Sequence, residues 1–148
     1  MPASIRTTIE IVRLIVDSNI LVRCSRGRAV RYVEELISLG VTLSTTERNA
    51  DELYDRLRGV FGMSAEEASA EVLRVLEPVD LLALDEFEPY RPAADRRLRD
   101  GGKSDWPALA AALSLDCAIW SEDVDFFGTG VPVWSTANVL LCAAVNKD

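Results

Sequence analysis

The sequence predicts a three-layer α/β/α domain built on a central parallel sheet. Short apolar runs alternate with stretches of helical periodicity along the chain, which implies βαβ units with right-handed crossovers. Residues 11–16 (IVRLIV) and 117–120 (CAIW) are apolar with one interruption between them, as strands buried on both faces are. Acids stand just past each run, Asp17 after the first and Asp123 after the second. In open parallel sheets ligands bind at the carboxyl ends of the strands.

The elements follow in order. The strand over 11–16 ends at Asp17, and the Asp17-Ser18-Asn19 segment reads equally as a cap for the turn that follows. Residues 29–39 carry apolar side chains at helical spacing, and Gly40 suits the helix end. Val41-Thr42-Leu43 reads as a second strand, and Ser44 with Glu47 as a capping box. The next helix has Ala50, Leu53, Tyr54, Leu57, Val60 and Phe61 as its apolar stripe. Ser64 and Glu67 form a second capping-box pattern for a helix that Pro78 ends. Residues 79–84 are a third strand, and 86–99 are helical in part, broken by Gly101-Gly102. Ser104 is placed to cap a helix that tolerates Pro107 in its first turn. Residues 108–113 are apolar nearly all round, so this helix is buried. Strands over 117–120 and 131–134 and a helix over 137–145 close the chain. Ser121 also reads as the cap of a short helix whose positive end the following acids favour.

At 148 residues one domain spanning 1–148 is expected, with residues 1–10 as an N-terminal extension. The first ten residues lack a signal-peptide core, and no apolar run spans a bilayer. A cytoplasmic protein with no membrane partner is therefore expected. The three cysteines form no CxxC pair, which supports neither a disulfide framework nor a thiolate zinc site. The chain has no histidine. That excludes Ser-His-Asp and Cys-His catalysis and every histidine metal site. The net charge of −8 opposes tight nonspecific nucleic-acid binding, unless carboxylates hold metal and a local basic patch holds phosphate.

Asp17 and Asp123 fall at one edge of a parallel sheet. Asp105 opens the buried helix that runs back from that edge, so it joins them. Carboxylates converging without histidine or thiolate favour hard ions such as Mg²⁺ or Mn²⁺. Each also has a structural reading, Asp17 as a turn cap and Asp105 as a complement to the helix dipole. Glu52 lies off its helix's apolar stripe between Arg48 and Arg56, and a surface ion-pair ladder explains it equally well.

The C-terminal block KSDWPALAAALSLDCAIWSEDVDFFGTGVPVW resembles PIN-domain ribonucleases of the VapC-like toxin type. LIVDSNILV is similar to that family's first strand with its acid, and ADELYDRL to its helical glutamate segment. The resemblance runs in order from residue 14 to 134. It implies an Mg²⁺- or Mn²⁺-dependent endoribonuclease leaving 5′-phosphate and 3′-hydroxyl ends. Asp17, Glu52, Asp105 and Asp123 would be its catalytic metal ligands, with Asp125 as a further ligand. Asn19 and Ser121 would be auxiliary, Ser121 standing where the family commonly has Thr. Glu47 is the alternative to Glu52. The resemblance also implies a small antitoxin partner, whose basic tail suits an acidic site; a homodimer is expected as well.

More than half of the sixteen basic residues fall in two groups: Arg23, Arg26, Arg28 and Arg31, then Arg91, Arg96, Arg97, Arg99 and Lys103. Both flank the acids in sequence. Arg23, Arg26, Arg96, Arg99 and Lys103 are the candidates for RNA phosphate contacts, against the alternative of a solvated helix face. Gly102-Lys103-Ser104 resembles the end of a phosphate loop, but the first glycine would fall at Arg97 and no strand precedes it. Asp17-Ser18-Asn19 lacks the second acid of an aspartyl-phosphate motif. A different class of function also fits: the same fold with an incomplete site, binding protein partners.

Overall fold

The computed structural model describes residues 11–145; the extension expected over 1–10 lies outside them. Five parallel strands form one sheet: β1 (Arg13–Val16), β2 (Thr42–Thr46), β3 (Asp80–Leu82), β4 (Ala118–Trp120) and β5 (Val133–Trp134). Their order is β3-β2-β1-β4-β5. The chain steps outward from β1 through β2 to β3, then returns to β4 on the other side of β1. The reversal lies between β1 and β4, where a crevice opens at the carboxyl edge.

Two cores flank the sheet, because alternate residues of a strand face opposite ways. Leu14, Val16, Leu43 and Trp120 pack on one face with α1 (Ser18–Ser25), α2 (Val30–Ser38), α3 (Glu47–Gly59), α4 (Ala65–Leu76) and the start of the last helix. Ile15 and Ile119 point to the other face, against α5 (Leu84–Phe87), α6 (Arg91–Arg97) and α7 (Trp106–Leu115). The closing helix α8 is Cys142–Val145. Leu14, Ile15 and Ile119 are fully buried, which stabilises the fold by roughly 1.5–3 kcal/mol per side chain. In α7, residues 108–112 are all buried, and the small side chains of Ala108, Ala110, Ala111 and Ala112 let the helix lie close to the sheet. The three-layer α/β/α fold expected from the sequence is the fold observed.

Local differences have physical reasons. The segment after Asp17 is a full helix, α1, not just a turn; Asp17 caps it by accepting from Ser18 N at 2.9 Å. β2 runs two residues past the expected capping serine, and Ser44 pairs with Ile15 and Asp80 inside the sheet. Thr46 caps α3 instead, accepting from Asn49 N at 3.0 Å. Val60 and Phe61, expected in the core stripe, are exposed past the end of that helix. The Ser64–Glu67 capping box forms with both reciprocal bonds. Ser104 does not cap α7: it lies in a 3-10 turn over Asp100–Asp105, and Asp105 holds the cap position. Asp123, not Ser121, caps the 3-10 turn over Val124–Phe126.

Candidate active site

Asp17 extends β1 at the sheet reversal, its N–H bonded to Trp120 O at 3.1 Å. It is buried, and donors surround its carboxylate. Oδ1 accepts from Ser18 N at 2.9 Å and Asn49 Nδ2 at 3.3 Å; Oδ2 accepts from Ser121 Oγ at 2.7 Å. Ser121, the residue after β4, in turn accepts from Asp123 N at 2.9 Å and Asn19 Nδ2 at 3.3 Å. One hydroxyl so joins the ends of β1 and β4. Burial raises the Asp17 pKa, the bonds from Ser121 and Ser18 oppose it, and the charge of Asp123 raises it further.

Asp105, Asp123 and Asp125 bring one oxygen each within 4.8 Å of one another. Different elements deliver them: Asp105 by the start of α7, Asp123 and Asp125 by the turn after β4, where Asp125 N donates to Asp123 Oδ1 at 2.9 Å. Burial pushes the Asp105 pKa up to about 8, reinforced by the charges of Asp123 and Asp17, a hydrogen bond with Asp123, and the charge of Asp125. Asn19 Oδ1 is buried beside Ser121 with no donor among the described residues. Crowded acids whose repulsion a cation would relieve, together with a spare amide oxygen, fit a hard divalent ion.

Glu52 stands in α3 next to Asp17. Its side chain is partly in water, yet crowding by the protein raises its pKa, as does the charge of Asp17. A hydrogen bond with Ser18 and the charges of Arg48 and Arg56 oppose the rise. Glu52 is outside the close trio; it adjoins the cluster through Asp17. Glu47 is exposed at the first position of α3. The residue that sequence reasoning missed is Asn49. It is buried, its Nδ2 donates to Asp17, and its Oδ1 accepts from the Thr46 hydroxyl at 2.7 Å. The Thr46-x-x-Asn49 spacing was the available signal, hidden by placing the cap two residues early.

A family model described as a PIN domain matches residues 15–143. The chain belongs to the PIN-domain family. Solved structures similar to this PIN domain include VapBC2 from Rickettsia felis bound to a DNA fragment from their promoter, at 14% identity and a TM-score of 0.61, covering 84% of this chain and 98% of that one. VapBC-1 from nontypeable Haemophilus influenzae matches at 19% identity and 0.63, over 85% and 99%. A toxin–antitoxin complex from Klebsiella pneumoniae matches at 16% and 0.58, over 83% and 97%. At these identities the likeness is one of fold. No curated protein matches. The family expected from the sequence is the family found.

The basic residues of this PIN domain divide. Arg99 reaches the cluster directly: its Nε donates to Asp125 Oδ1 at 2.6 Å, and its Nη2 meets the same oxygen. Lys103 is occupied elsewhere, donating to the carbonyls of Asp95 at 2.6 Å and Leu98 at 3.2 Å, at the end of α6. Arg26 stacks 4.4 Å over Phe61, past the far end of α3 from the acids, so it does not flank the site as its sequence position implied. Arg23 is exposed on the last turn of α1, roughly 9 Å along the axis from Asp17 at 1.5 Å per residue. Arg96 is exposed at the end of α6. An open cleft of about 530 Å³ adjoins Ser121, lined by Phe127, Trp134, Asn138 and Leu141. No helix among the described residues is long and apolar enough to cross a membrane.

Proposed function

We propose that this PIN-domain protein is a divalent-metal-dependent endoribonuclease, the cytoplasmic toxin of a toxin–antitoxin pair. The observation that carries the reading is the convergence of Asp105, Asp123 and Asp125, one oxygen each within 4.8 Å, with the charge of the buried Asp17 felt at Asp105. The family assignment and the toxin–antitoxin complexes among the similar structures support it. Asp105, Asp123, Asp125 and Asp17 would hold Mg²⁺ or Mn²⁺, with Glu52 on the side of Asp17. An ion there supplies Lewis-acid chemistry, acidifying water and offsetting charge on the phosphate and leaving oxygen.

The chain's own residues supply position. Ser121 and Asn49 aim Asp17 through one oxygen each, and the Ser121 bond opposes the rise in its pKa that burial causes. Exposed arginines, Arg96 and Arg23 among them, hold backbone phosphates without reading sequence. Phe127, 67% exposed at the rim of the adjoining cleft, offers a face on which an unpaired base stacks. An antitoxin with a basic tail is the partner this acidic site suits, and the active unit is a homodimer. The test is cleavage of structured RNA in Mn²⁺ and in EDTA. We expect cleavage in Mn²⁺ only, lost in Asp17→Ala with Asp123→Ala. Cleavage that persists in EDTA or in the double variant overturns the reading. A melting temperature unmoved by millimolar Mn²⁺ would instead make the protein a binding module, because an ion that binds only the folded state must stabilise it.

A further inference from the structure

The turn that joins α6 to α7 contains the glycine and lysine of the sequence's false phosphate loop, and its geometry gives them a different purpose. Gly102 N donates to Arg99 O at 2.9 Å. Lys103 fastens the turn to the end of α6 through two backbone carbonyls. Arg99, so held, places both its Nε and its Nη2 on Asp125 Oδ1. Gly102 is buried against the same carboxylate: a Cβ there would lie 2.9 Å from Asp125 Cγ and 3.1 Å from Oδ2. The close approach demands glycine; a methyl group would push the carboxylate aside. Backbone on one flank and a guanidinium on the other therefore set where Asp125 stands.

Among the described residues, Arg99 is the one side-chain cation paired with the close acidic trio. It stands at one corner of a cluster in which three carboxylate oxygens lie within 4.8 Å of one another. We infer that Arg99 is a built-in counter-cation which holds Asp125 while the site lacks its ion and competes with a divalent ion for that carboxylate, and that Gly102 keeps Asp125 in reach of Asp105 and Asp123. The inference rests on the metal-site reading above. Two consequences follow from elementary electrostatics. An entering ion shares the Asp125 carboxylate with the guanidinium on Oδ1, and it meets a like charge at that corner. Removing the guanidinium therefore tightens ion binding. Displacing Asp125 with a methyl group on Gly102 weakens it, because the ion loses a ligand. A turn that merely fastened two loops would give neither opposed effect.

The experiment is calorimetric titration of Mn²⁺ into the full chain, as wild type, Arg99→Ala, Arg99→Lys and Gly102→Ala, with Arg99→Ala repeated in an Asp125→Asn background. Arg99 is largely exposed, so its removal should tighten binding by about threefold, the scale of an exposed ion pair. Arg99→Lys, which keeps the charge, should return the affinity toward wild type. Gly102→Ala should weaken binding on the order of tenfold, as loss of a ligand-orienting contact does. With Asp125→Asn, Arg99→Ala should change the affinity by less than about twofold, since the shared partner is gone. Arg99→Ala that binds Mn²⁺ no more tightly than wild type overturns the inference, as does tightening that persists without Asp125. Asp105→Asn separates the two levels. If it abolishes binding while Arg99→Ala gives no tightening, only the role of Arg99 falls. If wild type binds no Mn²⁺, the metal site and the inference fall together.

Discussion

Two groups of acids in this molecule meet opposite surroundings. On α4, the Glu67 carboxylate accepts from Ser64 N at 2.9 Å while its own N–H donates to Ser64 Oγ at 3.1 Å, and the bonding with Ser64 lowers its pKa. One turn on, Glu71 takes Arg74 at 2.6 and 2.9 Å and the Ser25 hydroxyl at 2.5 Å, and its pKa is lowered chiefly by Arg74. At the β1/β4 edge, burial and neighbouring acids raise Asp17, Glu52 and Asp105 instead. Donors reach both groups, Asp17 included. The difference is that on α4 the donors outweigh burial, whereas at the sheet edge burial and neighbouring acids outweigh the donors, a repulsion that a cation would relieve.

The largest expected consequence is in the pH dependence of the metal-free protein. Asp105 has a folded pKa of about 8, above the ordinary carboxylate value of 3.8. Its protonated form therefore favours the fold, and stability should fall as pH rises from near 4 through about 8, then level off. Glu67 and Glu71 work the other way: their folded pKa values are lowered, so the stability they give is present above their ordinary range and lost in acid. Melts in EDTA should peak in mild acid and decline by several degrees toward alkaline pH. Asp105→Asn should flatten the decline without moving the acid limb. A wild-type curve flat across neutrality would break the contrast.

Next in size is Asn49, which lies between the two kinds of surroundings. It donates to an acid of the cluster while completing the start of α3. Asn49→Ala leaves the buried Thr46 hydroxyl and Asp17 each short of a partner, which should cost about 1–3 kcal/mol in urea unfolding. It should also weaken Mn²⁺ binding. Destabilisation with unchanged Mn²⁺ affinity would reduce Asn49 to a cap. The smallest effect belongs to α4: Ser64→Ala should cost about 1 kcal/mol and leave the Mn²⁺-induced rise in melting temperature as it is in wild type.

What the sequence made legible follows the same division. The positions of Asp17 and Asp123 beyond the carboxyl ends of their strands could be read because each follows an apolar run, and that of Asp105 because it opens a helix apolar nearly all round. These patterns depend on burial, which composition records. Asn49 could not be read, because β2 is the polar run TLSTT and its end is invisible to hydropathy. α1 was hidden for a similar reason: its cap, Asp17, is also the strand's last acid. The partners of the basic residues were not legible either. A run of arginines and lysines in sequence does not say which guanidinium meets a carboxylate, as Arg99 does, and which amine closes a helix end, as Lys103 does.

The most direct test of the acidic edge as an ion site is Asp123→Asn, melted in EDTA and in Mn²⁺. Asparagine keeps the Oδ1 that accepts from Asp125 N, so the turn stays capped and only the charge is lost. That charge is among the causes raising Asp17 and Asp105. We expect the variant to melt above wild type in EDTA at neutral pH, and to lose most of the rise that Mn²⁺ gives wild type. A variant that melts below wild type in EDTA and keeps the full Mn²⁺ rise would contradict the account, leaving Asp123 a structural acid like Glu67.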